Sequence, residues 1–163
     1  LPPVIGWAVT TNSIGIESIL MFFLIFLWTP PHFWSLCLMT KSDYSKSGVP
    51  MLTETHGELV TKRQILIYSV LLLIPSAIIS FTSIGGIIYL ISMIILNSIF
   101  LYLAICLNDY DKGRNISHNK RERQLFLYSI FYLFAHFFIL LMEFLFKLIV
   151  PFYANLSGGL SWL

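Results

Sequence analysis

The run from Ile87 to Leu107 is twenty-one residues without a single formal charge. Coiled as an α-helix it would extend about 32 Å at roughly 1.5 Å per residue, enough to cross the hydrocarbon core of a bilayer. Lipid offers no hydrogen bonds to a backbone, so a segment of this kind is restricted to a helix or to one strand of a closed barrel. The alternating pattern of a barrel strand is absent. Four further apolar segments can be drawn, over 4–11 as a partial run, 16–38, 64–82 and 125–150. Hydrophobic residues make up 57% of the chain and charged residues 11%, far from the balance of a water-soluble domain. The fold class that follows is an all-α integral membrane protein, a multi-helix transmembrane bundle in a single membrane domain.

The connections carry the charge. Lys41, Lys46, Lys62 and Arg63 fall in the connection 39–63, and Lys112, Arg114, Lys120, Arg121 and Arg123 in 108–124, which accounts for nine of the ten basic residues. The three crossings 16–38, 64–82 and 87–107 alternate in direction, so the helix count puts both connections on one side, and the basic excess makes that side cytosolic, or the matrix side in a mitochondrion. The C-terminus then faces outward. Ser83-Ile84-Gly85-Gly86 reads as a tight glycine turn that makes its two flanking helices antiparallel neighbours. Lys147 lies near the far interface, where Glu143 four residues earlier is placed to pair with it. The first residues, Leu1-Pro2-Pro3, lead straight into an apolar run, and a fragment of a longer chain is expected. Net charge is only +2, too small to point to nucleic acid. Cys37 and Cys106 stand alone, without disulfide or haem-attachment spacing, and are expected as reduced packing residues.

One segment carries residues that lipid should reject. Pro30 and Pro31 each remove a backbone donor, and a kink or break near Thr29 is expected. His32 follows at modest membrane depth, flanked by Trp28, Phe33 and Trp34; an ionisable group there is costly unless it faces a cavity or a partner. Just beyond, Asp43, Tyr44 and Lys46 are grouped with Lys41. A carboxylate among lysines at the membrane surface suits a Mg²⁺–diphosphate headgroup, with oxygen for the cation and ammonium for the phosphates. His136 is expected to be a buried, hydrogen-bonded histidine, Asn97 an interhelical hydrogen-bond donor, and His56 and His118 solvated loop residues.

Taken together, "PPVIGW" at 2–7, "FLWTPPHFW" at 26–34 and "DYSKSGVPML" at 43–52, with Gly57, Thr61, "RQILIYS" at 63–69, "FLYLAICL" at 100–107 and "RQLFLYSIFYLF" at 123–134, closely resemble the UbiA-type intramembrane prenyltransferases. Within them the match is to the protohaem IX farnesyltransferase (haem O synthase) branch. The resemblance implies a nine-helix bundle in the full-length family, of which about four and a half helices lie here. It also implies transfer of a farnesyl group from farnesyl diphosphate to the vinyl group of haem B, giving haem O for terminal oxidases. Further implications are Asp43 as a Mg²⁺ ligand, Lys46 and Lys41 on the phosphates, and Tyr44, Trp28, Phe33 and Trp34 as aromatic faces for the allylic cation. His32 would ligate or orient the haem. The setting implied is a bacterial inner membrane, or else a mitochondrial one, with haem A synthase or oxidase assembly proteins as partners.

The family's first acidic motif has no counterpart, so the chain is expected to be inactive alone. Ser47 stands where a second aspartate would complete a D-x-x-x-D pair, and Thr53 where the family usually has proline. Two other readings compete: a UbiA-type enzyme with an aromatic-acid acceptor, and a transporter or structural subunit whose polar residues serve translocation.

Overall fold

Apolar runs of membrane length become helices of membrane length. The computed structural model describes residues 1–40, 52–109 and 119–158. Among the described residues every regular element is an α-helix: α1 (Pro2–Thr11), α2 (Ile16–Met39), α3 (Leu52–Thr55), α4 (Gly57–Leu71), α5 (Leu73–Ile79), α6 (Ile87–Asp109) and α7 (Asn119–Gly158). Four stretches are long and apolar enough to cross a membrane: Ile16–Met39, Gly57–Ile79, Ile87–Asn108 and Lys120–Ile149. The protein is an integral membrane protein.

The four spans close into a ring, with α2 against α7, α7 against α6, α6 against α4 and α4 back against α2, while α1 rests on α2. Leu24, Ile65, Leu72, Phe100, Ala104, Leu125 and Tyr132 fill the interior. Small polar residues are buried with them, namely Ser18, Ser35, Ser69, Ser76, Ser129 and Thr61, whereas Ile94, Phe131, Phe134 and Phe144 point outward. That inversion suits a bilayer, where lipid accepts large apolar side chains and small residues let helix backbones approach. Interhelical hydrogen bonds hold the centre: Tyr132 Oη donates to Asn97 Oδ1 at 3.0 Å, and Asn97 Nδ2 donates to Ser76 Oγ at 3.1 Å. Asn97 is thus the interhelical donor expected of it.

Alternation brings the last turns of α2 and α6 and the first turns of α4 and α7 to one end of the bundle, where Arg121 Nη1 donates to the Cys106 carbonyl at 2.6 Å. At the opposite end, residues 80–86 turn the chain tightly. A Cβ on Gly85 would overlap the Ile79 carbonyl, so only glycine lets the strand of backbone return this closely. Ser83 Oγ donates to Glu17 Oε1 at 2.7 Å, and Lys147 Nζ donates to the carbonyls of Ser83 (3.0 Å) and Gly85. Lys147 is therefore not partnered by Glu143, as helical spacing suggested. Glu143 Oε2 instead accepts the Tyr89 backbone N–H at 3.1 Å, capping the first turn of α6, where unsatisfied donors favour a carboxylate.

Three boundaries differ from the sequence expectation. The helix expected from 64 starts at Gly57, because Glu58, Lys62 and Arg63 continue a helix past the apolar depth that marks it. That span is divided at Leu72 by Pro75, which lacks the N–H that would reach the Leu71 carbonyl. Of the kink or break expected near Thr29, the break does not occur: α2 runs on through Pro30 and Pro31. Side chains on either side of the proline pair, Trp28 and His32, are both tied to Ser129 of α7, which links the two halves of the helix to one point.

Candidate functional site

Position 32 lies on the flank of α2 that meets α7, and α7 supplies its surroundings. The His32 ring is layered between Trp28, at 4.4 Å between centroids and 16° between planes, and Phe126, at 4.9 Å and 20°. Phe33 meets it edge-on at 5.7 Å. Two hydrogen bonds converge on one residue: Trp28 Nε1 donates to the Ser129 carbonyl at 2.7 Å, and His32 Nδ1 lies 2.7 Å from Ser129 Oγ. Ser129 is itself fully buried and donates its hydroxyl to the Phe126 carbonyl at 2.6 Å. The opposite ring nitrogen, His32 Nε2, has no protein partner among the described residues. A half-buried imidazole clamped on both faces, bonded through one nitrogen and open at the other, can accept a proton or donate its lone pair to a metal centre.

Of the residues singled out in the sequence, the structure brings Trp28, His32 and Phe33 together. Trp34 goes elsewhere, packing edge-on against Tyr68 of α4 at 5.3 Å. Lys41, Asp43, Tyr44 and Lys46 lie outside the described residues, as do Ser47 and His118. His136 is buried, with Nδ1 3.1 Å from the Tyr132 carbonyl, as expected of a structural histidine. It is seven residues along α7 from Ser129, about 10 Å at the helical rise, and does not join His32.

Sequence reasoning assigned no role to Ser129 and Phe126, which lie in a run read as apolar helix and as part of the family resemblance. It also took Lys62 for a loop charge and did not weigh Glu122. Both are buried at the end of the bundle where the polar connections emerge, Lys62 at 1% exposure and Glu122 at 4%, on helices facing each other across the ring. Lys62 Nζ is 4.0 Å from Glu58 Oε2 one turn away. One Glu122 carboxylate oxygen, Oε2, is buried without a hydrogen-bond partner, and so is the hydroxyl of Thr53. The signal available was the interruption of an apolar face by a charge at helical spacing. Among the described residues no three His, Cys, Asp or Glu side chains converge on a metal-sized site, so these residues do not by themselves form a cation site.

The protein named "Protoheme IX farnesyltransferase" of Roseobacter denitrificans is 49% identical over 143 residues, covering 87% of this chain and 46% of that relative. The same name is carried by a Cereibacter sphaeroides protein, 50% identical over 144 residues with 87% and 46% coverage, and by a Paracoccus denitrificans protein, 48% identical over 145 residues with 87% and 48% coverage. The chain spans about half the length of the curated relatives it matches. No solved structure matches it. The model of the UbiA prenyltransferase family matches residues 1–131, and the chain belongs to that family.

Proposed function

We propose that the protein transfers a farnesyl group from farnesyl diphosphate to the vinyl group of haem B, giving haem O. The observation that carries this reading is His32, clamped between aromatic rings with Nε2 unpartnered among the described residues, in a chain whose family joins prenyl groups to acceptors and whose relatives bear a haem-specific name. Neutral imidazole is the usual proximal ligand of haem iron, and a small aromatic acid has no use for one.

In the reaction the allylic C–O bond of farnesyl diphosphate breaks and its electron pair leaves with the diphosphate. The vinyl terminus of haem B forms the new C–C bond to the farnesyl carbon. Water then adds its oxygen to the remaining vinyl carbon and releases a proton, leaving a hydroxyethylfarnesyl substituent. Lys46 and Lys41 are proposed to neutralise the departing phosphates, and Tyr44, Trp28 and Phe33 to face the cation without offering it a nucleophile. Trp34, packed on Tyr68, is left out of this wall. Asp43 is the proposed ligand for Mg²⁺, carried by its motif alone; the cation would supply charge neutralisation at the diphosphate. Connections 39–63 and 108–124 are proposed to face the cytosol of a bacterium.

The test is conversion of haem B to its farnesylated product in membranes given farnesyl diphosphate and Mg²⁺. It is run with the chain alone and with the chain completed by the first half of the Paracoccus relative. Product from the completed form, abolished by Asp43→Ala, is the expected result. A completed form that folds, incorporates into membranes and yields no product would overturn the proposal.

A further inference from the structure

The hydrogen bonds around Ser129 determine more than the position of the His32 ring. A serine hydroxyl has one hydrogen, and of the two acceptors within its reach the Phe126 carbonyl three residues back, at 2.6 Å, is the nearer and the one that can never donate in return. Its oxygen can then only accept from the other neighbour, His32 Nδ1, 2.7 Å away. The Phe126 carbonyl cannot donate, and neither can the Ser129 carbonyl, which is already engaged by Trp28 Nε1 at 2.7 Å. Stacking by Trp28 on one face and Phe126 on the other prevents the ring from turning over to exchange its nitrogens.

We infer that Ser129 fixes His32 in the tautomer with hydrogen on Nδ1 and the lone pair on Nε2, and so acts as the positioning residue that presents Nε2 to an electrophilic metal centre. That this centre is the iron of the haem substrate rests on the function proposed above; the tautomer does not. Histidines that ligate metals commonly donate their second ring N–H to a fixed acceptor, which sets orientation and raises basicity. Here a buried hydroxyl on a different helix performs that task. Ser129 touches no substrate in this scheme and acts only through His32.

The experiment is ¹⁵N NMR of the full chain in detergent micelles at alkaline pH, where imidazoles are neutral, with the His32 signal identified by its loss in His32→Gln. The expected spectrum shows His32 protonated on Nδ1. Ser129→Thr, which retains the hydroxyl, should preserve it, and Ser129→Ala should give a mixture of tautomers. His32 protonated on Nε2 in the unaltered chain, a result that needs neither Ser129 variant to fold, overturns the inference, as does an unchanged tautomer in Ser129→Ala. A parallel titration with ferric haem separates the two claims. The expected histidine-ligated spectrum should vanish in His32→Gln, weaken about 10-fold or more in Ser129→Ala and survive in Ser129→Thr. Absence of any His32-dependent spectrum in the unaltered chain would sink the haem reading while leaving the NMR result for Ser129 intact.

Discussion

Substituting Gly86 with alanine tests whether the far end of the bundle is held by a carboxylate acting as a helix cap. Gly86 immediately precedes α6, and a Cβ added there would overlap the Glu143 carboxyl group. Its backbone has an ordinary negative φ, so alanine meets no conformational strain. The cost must come from displacing Glu143, which is 4% exposed and accepts the Tyr89 N–H at 3.1 Å. Hydrogen bonds to charged groups are worth about 1.5–3 kcal/mol and helix caps about 1 kcal/mol in soluble proteins. Hydrogen bonds within membranes measure lower, about 0.6 kcal/mol on average and 1.7 at most. Gly86→Ala should therefore destabilise the chain by about 1–2 kcal/mol, the upper part of that range reflecting the ionic acceptor and the orphaned helix donor.

The decisive measurement is a double-mutant cycle. In a Glu143→Ala background the space beside Gly86 is vacant and the cap already lost, so Gly86→Ala should cost only a few tenths of a kcal/mol, the ordinary difference between glycine and alanine before a helix. Unfolding by SDS in mixed micelles, followed by far-ultraviolet circular dichroism, gives the four free energies. Equal costs of Gly86→Ala in both backgrounds would refute the capping account.

Two further outcomes follow from the same structure. Tyr89→Phe should be neutral or slightly stabilising in that unfolding assay, since the Tyr89 hydroxyl is buried without a partner among the described residues, whereas Tyr132→Phe should cost about 1 kcal/mol by leaving Asn97 Oδ1 unpaired; the reverse order would contradict the assigned network. Pro75→Ala restores the N–H that the Leu71 carbonyl lacks, so the new amide should be protected from hydrogen exchange and α4 and α5 should fuse, with a gain below the roughly 3 kcal/mol a proline costs in an ordinary helix interior. Exchange at the rate of an exposed turn would show that Leu72 is a break imposed by packing and not by the proline.

The spans were legible because hydrocarbon thickness is written into the chain as run length. What run length reports is depth in lipid, not helicity, which is why α4 begins at Gly57, seven residues before its apolar stretch, and α7 at Asn119. Proline shows the limit of local rules most clearly. The pair at 30 and 31 leaves α2 unbroken while the single Pro75 divides its helix. Nothing in the neighbouring residues distinguishes the two cases; the difference is a clamp between Trp28, His32 and a serine about a hundred positions later. The Glu143–Lys147 spacing failed for a related reason. A pair one turn apart gains a few tenths of a kcal/mol on a helix surface, less than Glu143 gains at the buried Tyr89 N–H, and Lys147 turns instead to the carbonyls of Ser83 and Gly85.

For the candidate site, the sequence exposed the costly residue and concealed its partner. His32 stands out because an imidazole at membrane depth demands an explanation, whereas Ser129 is one of several serines in the chain's helices, most of which bond back to their own backbone. Ser129 does that too, through Phe126, and this local bond is what turns its oxygen into an acceptor for a different helix. Two ordinary features, a back-bonding serine and a histidine flanked by aromatics, become a chemical device only when α2 and α7 are packed in one register. A shift of one residue along α7 would carry Ser129 about 100° around the helix and leave Nδ1 without its acceptor. The tautomer of His32 is thus a readout of helix register, and the NMR experiment on Ser129 tests the packing of α2 on α7 as directly as it tests the chemistry of the ring.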